Sequence, residues 1–118
     1  MKVLILGASL KSKRYSFIAL NDLVDYGHDI VAVGLKEGRL RGVQISKSVS
    51  KDEDIHTVTM YLSSKNQEGY YEYLLKLRPQ RVIFNPGSEN SELEENLKQV
   101  GVEVLLACTL ILLRTDQF

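Results

Sequence analysis

The sequence has little material for covalent cross-links or metal sites. Its single cysteine, Cys108, cannot form a disulfide within the chain. Its two histidines, His28 and His56, have no Cys, His or Asp at metal-ligand spacing, so the sequence predicts no metal site. Met1 leads directly into an apolar segment, without the parts of a targeting peptide. A lone cysteine and no leader together predict a cytoplasmic protein in a reducing compartment.

The chain also lacks an excess of charge and a long apolar segment. Lys and Arg number 15, as do Asp and Glu, which leaves no global field to attract nucleic acid or an anionic membrane. The longest apolar stretch, residues 104–113, is shorter than the roughly 20 residues of a membrane helix and is interrupted by Cys108 and Thr109. We therefore expect no nucleic-acid partner and no membrane span, and an anionic ligand needs a local cluster of cations.

Short apolar segments alternate with helical patterns along the chain. Strands are predicted at residues 2–6, 29–33, 55–62, 81–84 and 102–106. Helices are predicted at residues 14–26, 67–77 and 91–101, with a closing helical turn at 109–113. Such alternation requires right-handed crossovers between parallel strands, and the chain length suits one domain. The sequence therefore predicts an α/β fold: a single Rossmann-like doubly wound domain over residues 1–118, with a mostly parallel five-stranded sheet.

Two details of this fold depend on local composition. Residues 36–53 are rich in Lys, Arg, Ser and Gly, which predicts a loop, although residues 42–45 have the pattern of a short edge strand. Ser91 is followed three residues later by Glu94, as in a capping box, so Ser91 is the predicted N-cap of the third helix.

Ligands of such folds lie beyond the carboxyl ends of the strands, where the sequence places its first candidate site. Gly7, Ala8 and Ser9 follow the first strand and lead to a helix whose free N–H groups favour a phosphate. Lys11, Lys13 and Arg14 come soon afterwards, and three cations at this turn suit a diphosphate. The turn therefore indicates a nucleotide, and the alternative is a tight chain reversal beside a solvated basic loop.

The end of the second strand narrows the class of nucleotide. Gly34 and Lys36 stand there without the acid that holds the ribose of NAD. Glu37 is flanked by Lys36 and Arg39, and this cationic cluster suits a ligand with an extra phosphate on its ribose. The pattern favours NADP or coenzyme A over NAD.

A dense polar segment follows the predicted strand at 81–84: Asn85, Pro86, Gly87, Ser88, Glu89 and Asn90. Its turn amides either face a ligand or merely connect a strand to a helix, and the sequence supports both interpretations equally. Glu89 has no paired histidine or second carboxylate, which leaves catalysis with little support. Cys108, after the last strand, is either a small buried residue, the favoured interpretation, or a thiol near the ligand.

Several segments together resemble one known family. These are GASLKSKRYSFIAL, GHDIVAVGLKEG, TVTMYL, RVIFNPGSEN and ACT, in this order along the chain. They resemble the small CoA-binding domain proteins, a family similar to the N-terminal domain of the succinyl-CoA synthetase α subunit. The resemblance implies that the first turn, with Arg14 and Tyr15, faces the CoA diphosphate, and that residues 34–39 approach the adenosine and its 3′-phosphate. It also implies that a cleft is completed by Tyr61, Leu62, Ser63 and the turn at 85–89.

The resemblance also implies what this chain lacks. The synthetase needs a phosphorylated histidine from a second domain, and no local substitute occurs here. We therefore expect a protein that binds coenzyme A or an acyl-CoA without catalysis. The alternative is a small NADP-dependent oxidoreductase or CoA-dependent transferase that uses Glu89 or Cys108. A third interpretation is a ligand sensor that acts on a protein partner, and homo-oligomer formation stays open.

Overall fold

The computed structural model describes residues 1–50 and 54–118. Its strands are β1 (Lys2–Leu6), β2 (Asp29–Val33), β3 (Gly38–Leu40), β4 (Val43–Ser46), β5 (Thr57–Met60), β6 (Arg81–Phe84) and β7 (Glu103–Leu106). Its α-helices are α1 (Tyr15–Asp25), α2 (Tyr71–Leu77), α3 (Ser91–Gln99) and α4 (Thr109–Arg114), and a 3-10 helix, Ser64–Tyr70, precedes α2. No helix in this part of the chain combines the length and apolar character that crossing a bilayer demands.

All the strands belong to one sheet in the order β3-β4-β2-β1-β5-β6-β7. The sheet is parallel except for β3, which runs antiparallel to β4. The prediction of an α/β fold with one mostly parallel sheet is confirmed, but the prediction of five strands is wrong, because the sheet has seven and is mixed. The two additional strands come from the segment predicted as a loop. Arg41 and Gly42, with φ of 54° and 79°, form the positive-φ turn that a two-residue hairpin requires.

Strand β1 lies inside the sheet and contributes apolar side chains to both faces. Val3 and Ile5 pack beneath α1 and α4, which contact each other. Leu4 and Leu6 belong to the core on the opposite face, beneath α2 and α3. Burial on both faces explains why the sequence of this strand is a continuous apolar run rather than an alternation.

The predicted second and third helices differ in detail from those observed. The segment 67–77 divides into the end of the 3-10 helix and α2, since Gly69 weakens helix formation and Gln67 is held in buried hydrogen bonds. Asn90, not Ser91, is the N-cap of α3. Its side chain accepts a bond from the Leu93 N–H at 3.2 Å, and Glu94 accepts one from the Asn90 N–H at 2.8 Å.

Both histidines lie at the amino edge of the sheet. The ring of His28 lies 5.2 Å from that of Phe118, whose face also receives the Arg81 guanidinium at 4.5 Å. Burial lowers the pKa of His28, and the charge of the amino terminus adds to this effect. His56 Nδ1 lies 2.7 Å from Thr57 Oγ1. These contacts lie at the amino ends of the strands, opposite to their carboxyl ends.

Candidate functional site

The carboxyl ends of β1, β2 and β5 meet where the strand order reverses. The N–H groups of Gly7 and Ala8 both donate to the Val33 carbonyl at 2.9 Å, and the Tyr61 N–H donates to the Leu6 carbonyl at 2.8 Å. The turn after β1 is therefore bonded to both neighbouring strands. In open α/β sheets, the crevice outside such a reversal is where ligands bind.

Two glycines allow these chain segments to lie against one another. A Cβ at Gly34 would lie 2.1 Å from the carbonyl oxygen of Ala8. A Cβ at Gly7, which has a φ of +99°, would lie 3.1 Å from the Leu62 nitrogen. Both glycines therefore serve the close approach of protein backbone, and the N–H groups of Gly7 and Ala8 are already engaged.

The basic segment after this turn is open to solvent. The Ser9 hydroxyl accepts a bond from the Lys11 N–H at 3.0 Å, while Lys13, Arg14 and Tyr15 are exposed. Arg14 is the N-cap residue of α1 without a side-chain capping bond, and the first turn of α1 carries no acid. Within residues 1–50 and 54–118, neither Lys13 nor Arg14 forms an ion pair. The beginning of α1 thus presents positive charge without a protein counter-ion.

A cleft of about 430 Å³ lies beside the reversal point. Its walls come from Gly34 at the end of β2, Leu62 after β5, and Asn66 and Tyr70 of the 3-10 helix. Lys47, directly after β4, also lines it. Of the residues that the sequence predicted for the site, Gly34 and Leu62 line this cleft. Lys47 was missed because β4 was read as part of a loop, and the sequence carries no local signal for Asn66 or Tyr70.

The two cations predicted after the second strand separate in the structure. Lys36 is exposed in the connection between β2 and β3, near the ends of the strands. Strand β3 then runs toward the opposite edge, and the Arg39 guanidinium donates to the carbonyl of Gly42 in the hairpin turn, at 3.4 Å. The reversed direction of β3 therefore takes Arg39 away from the cleft.

Asn85 is a cross-link between strands. It is 2% exposed, and its amide nitrogen donates to Thr59 Oγ1 at 2.8 Å and to the Met60 carbonyl at 2.9 Å. Its side-chain oxygen accepts a bond from the Thr109 N–H at 2.8 Å. These bonds join the ends of β5 and β6 to the start of α4 and favour the connecting role among the two interpretations of residues 85–90.

A fully buried glutamine extends this polar network to the cleft. The amide of Gln67 donates to the carbonyl oxygens of Leu62 at 2.8 Å and Ser88 at 2.7 Å. It accepts a bond from Asn90 at 2.9 Å, and Asn90 also donates to the Tyr71 hydroxyl. The wall of the cleft and the turn at 85–90 are thus parts of one rigid arrangement. Sequence reasoning missed Gln67, since a glutamine in a helical pattern is ordinarily exposed.

The remaining predicted residues near residue 85 lie at the surface. Pro86, Gly87 and Glu89 are exposed, and the Glu89 carboxylate accepts a bond from the Gly87 N–H at 2.9 Å. Ser63 is exposed and precedes the 3-10 helix without capping it through its side chain. Glu89 therefore stabilises its own turn, and no hydrogen bond links it to a histidine or to another carboxylate in the described residues.

Tyr61 and Cys108 lie on the face covered by α1 and α4. The Tyr61 ring packs against that core, and its buried hydroxyl has no hydrogen-bond partner among the described residues. Burial raises the pKa of Tyr61 to about 12, although the nearby hydroxyls of Thr59 and Thr109 oppose the shift. Those two hydroxyls bond each other at 2.7 Å. Cys108 is half-buried at the N-cap of α4.

We expect Tyr61→Phe to raise the free energy of unfolding by up to about 1 kcal/mol. The substitution keeps the ring and removes a buried hydroxyl that lost its water without gaining a partner. Urea unfolding followed by circular dichroism measures the change, and Tyr61→Leu, which also removes the ring, is expected to destabilise. A loss of stability in Tyr61→Phe beyond about 1 kcal/mol would mean that the hydroxyl is bonded.

The site carries no group of metal ligands. In residues 1–50 and 54–118, no three His, Cys, Asp or Glu side chains are close enough to hold a metal ion. What the site offers instead is positive charge before α1, a cleft lined by Lys47, and a buried polar network behind the cleft wall at Leu62. Exposed cations and free helix N–H groups are suited to an anion.

Comparison with solved structures shows that other proteins share this fold. The structure has a TM-score of 0.95 with the crystal structure of an uncharacterized protein, at 44% identity over 99% of this chain and 97% of that one. It has a TM-score of 0.87 with cell-free ID.343 from Thermus thermophilus, at 21% identity over 99% and 90%. It has a TM-score of 0.72 with a dinucleotide-forming acetyl-coenzyme A synthetase 1 from Ca. Korarchaeum cryptofilum, at 17% identity over 88% of this chain and 25% of that one. The last two likenesses show the fold alone.

The family comparison is more specific than these likenesses. No curated protein matches the chain. The model of the CoA binding domain, however, matches residues 1–114, which confirms the family that the sequence motifs indicated. The chain therefore belongs to the CoA binding domain family.

Proposed function

We propose that this protein binds coenzyme A or an acyl-CoA in a Rossmann-like nucleotide site and performs no chemistry alone. The observation that carries the proposal is the cleft at the strand reversal, in a member of the CoA binding domain family. The wall of this cleft at Gly34 packs against Ala8, in the turn that leads to the exposed cations before α1. This combination suits a ligand with a nucleoside at one end and phosphates next to it.

In this proposal, the beginning of α1 binds the diphosphate. Helix N–H groups at an N-terminus have no intrahelical partner and favour an anion. Arg14 and Lys13 supply charge, and Tyr15, which is 71% exposed, flanks them. The engaged N–H groups of Gly7 and Ala8 shape the turn without binding the phosphates themselves.

The adenosine enters the cleft in this proposal. Leu62 and Tyr70 offer an apolar and an aromatic surface to the base. The pantetheine arm then runs past Tyr61, Ser63 and the turn at 85–89, toward Cys108. The cytoplasmic location expected from the single cysteine stays a prediction.

The structure favours binding over catalysis. Glu89 is bonded to the Gly87 N–H, and Cys108 has no base within hydrogen-bond distance in the described residues. A second candidate function is a ligand sensor that acts on a protein partner, since a nucleotide-binding domain without a paired acid and base can report its ligand without transforming it. A pull-down whose yield changes with CoA would distinguish this function from simple binding.

Isothermal titration tests the proposal directly. We expect CoA to bind, and Arg14→Gln combined with Lys13→Gln to weaken it roughly tenfold, because two cations beside the diphosphate are lost. Lys98→Gln in α3, an exposed lysine away from the cleft, is the matched control and should leave the affinity unchanged. Absence of heat with CoA at millimolar concentration would overturn the proposal, as would steady turnover that is lost in Glu89→Gln or Cys108→Ser.

A further inference from the structure

We propose that Lys47 binds a phosphate monoester on the ribose of the bound nucleotide and thereby determines the ligand specificity of the cleft. The inference rests on the proposed function, since it takes the cleft to hold the nucleoside. It assigns the recognition of the extra phosphate to the end of β4, whereas the sequence pointed to Lys36 and Arg39 after β2.

The backbone fixes Lys47 beside the cleft. Ser46, the last residue of β4, pairs with Val33 of β2, and its carbonyl accepts a bond from the Gly34 N–H at 2.9 Å. Lys47 therefore follows the end of β4 directly beside Gly34, and both residues line the cleft. The position of the lysine backbone is held by the sheet, and its side chain needs only to turn toward the ligand.

The charge of Lys47 is available to a ligand, as is that of the exposed Lys36, whereas that of Arg41 is paired. Lys47 is exposed and has no ion pair within the described residues. The Arg41 guanidinium, by contrast, lies 2.7 Å from the Asp25 carboxylate. Arg39 donates to the Gly42 carbonyl at the far end of the hairpin. Among the described cations of this region, Lys47 is the one that lines the cleft.

The composition of the cleft wall selects the chemistry of the ligand. No carboxylate lines the cleft in the described part of the chain, so the hydroxyls of an unmodified ribose have no carboxylate to which they can donate hydrogen bonds. A phosphate monoester brings a charge of about −1.5 to −2 and three acceptor oxygens, which an ammonium and the nearby Asn66 amide are able to meet. The 3′-phosphate of CoA and the 2′-phosphate of NADP share this chemistry, and the experiment separates them.

Calorimetric titration of the whole protein with four ligands tests the inference: CoA, dephospho-CoA, NADP and NAD. We expect the wild type to bind CoA roughly tenfold more tightly than dephospho-CoA. Lys47→Gln should bring this ratio close to one by lowering the affinity for CoA, while the affinity for dephospho-CoA stays unchanged. Lys36→Gln and Arg39→Gln are the matched controls and should keep the ratio. Because Lys47 is exposed, the wild-type ratio should also fall as salt is raised.

The outcomes separate the inference from the proposed function. If neither CoA nor dephospho-CoA binds the wild type, the proposed function fails. If both bind and their ratio survives in Lys47→Gln or collapses instead in Lys36→Gln, the inference is wrong while the function stands. Equal weakening of both ligands in Lys47→Gln also overturns it. A ratio that is larger for NADP over NAD, and lost in Lys47→Gln, supports the role of Lys47 but contradicts CoA as the ligand.

Discussion

Replacing Gly34 by alanine is expected to lower the free energy of unfolding by about 3 kcal/mol. The new Cβ would lie 2.1 Å from the carbonyl oxygen of Ala8 and 3.1 Å from its carbonyl carbon. Both are backbone atoms, and the Ala8 N–H is bonded to Val33 at 2.9 Å, so the turn cannot move without breaking a bond to β2. Since Gly34 also forms a wall of the cleft, we expect CoA affinity to fall with stability.

Urea unfolding of Gly34→Ala and Gly69→Ala measures this effect with a matched control. A Cβ at Gly69 meets no heavy atom within 4 Å, so the control is expected to stay within about 0.5 kcal/mol of the wild type or to gain slightly from a less flexible unfolded chain. A Gly34→Ala protein that unfolds within about 1 kcal/mol of the wild type would contradict the close approach of the β1 turn to β2.

Replacing Asn85 by alanine is expected to cost about 3 kcal/mol as well. The change removes three hydrogen bonds of a side chain that is 2% exposed. The Thr109 N–H loses its acceptor, whereas Thr59 keeps the bond to the Thr109 hydroxyl. A buried donor left without a partner accounts for much of the loss, because it gave up water on folding.

A second asparagine distinguishes stability from binding. Asn66→Ala alters an exposed residue of the cleft wall and should leave the free energy of unfolding within about 0.5 kcal/mol of the wild type. We expect the same substitution to lower the affinity for CoA. Thermal and urea unfolding, with CoA titration of both variants, compare the two. If Asn85→Ala weakens CoA without loss of stability, Asn85 contacts the ligand and the cross-linking role is wrong.

The segment from Asn85 to Asn90 illustrates why a dense run of polar residues is a poor predictor of a ligand site. The run from Asn85 to Asn90 is dense in polar groups, and sequence reasoning weighed a ligand against a connection equally. In the structure, the buried members of this run, Ser88 among them, bond to backbone and to Gln67. Polar residues between a strand and a helix supply the partners that buried backbone groups need. The residues open to a ligand are those at the surface of the turn.

The sequence determined the elements with strong local patterns. The apolar run of β1 and the helical spacing of α1 are properties of neighbouring residues, so periodicity was enough to predict one α/β domain with a mostly parallel sheet. The motifs from Gly7 to Cys108 identified the family in the same way. The turn at Gly7 was likewise predicted directly after β1, where the structure has it, and the proposed site is based on that end of the sheet.

Only the tertiary structure decided which residues meet there. The pattern at residues 42–45 indicated one short strand, observed as β4, but nothing indicated its three-residue partner β3. The reversed direction of β3 separates Arg39 from the cleft. Lys47 reaches the wall because β4 pairs with β2, and Gln67 is buried because the turn at 85–90 folds back onto it. Such contacts join residues far apart in the chain, and their energies depend on pairing and burial that no local pattern records.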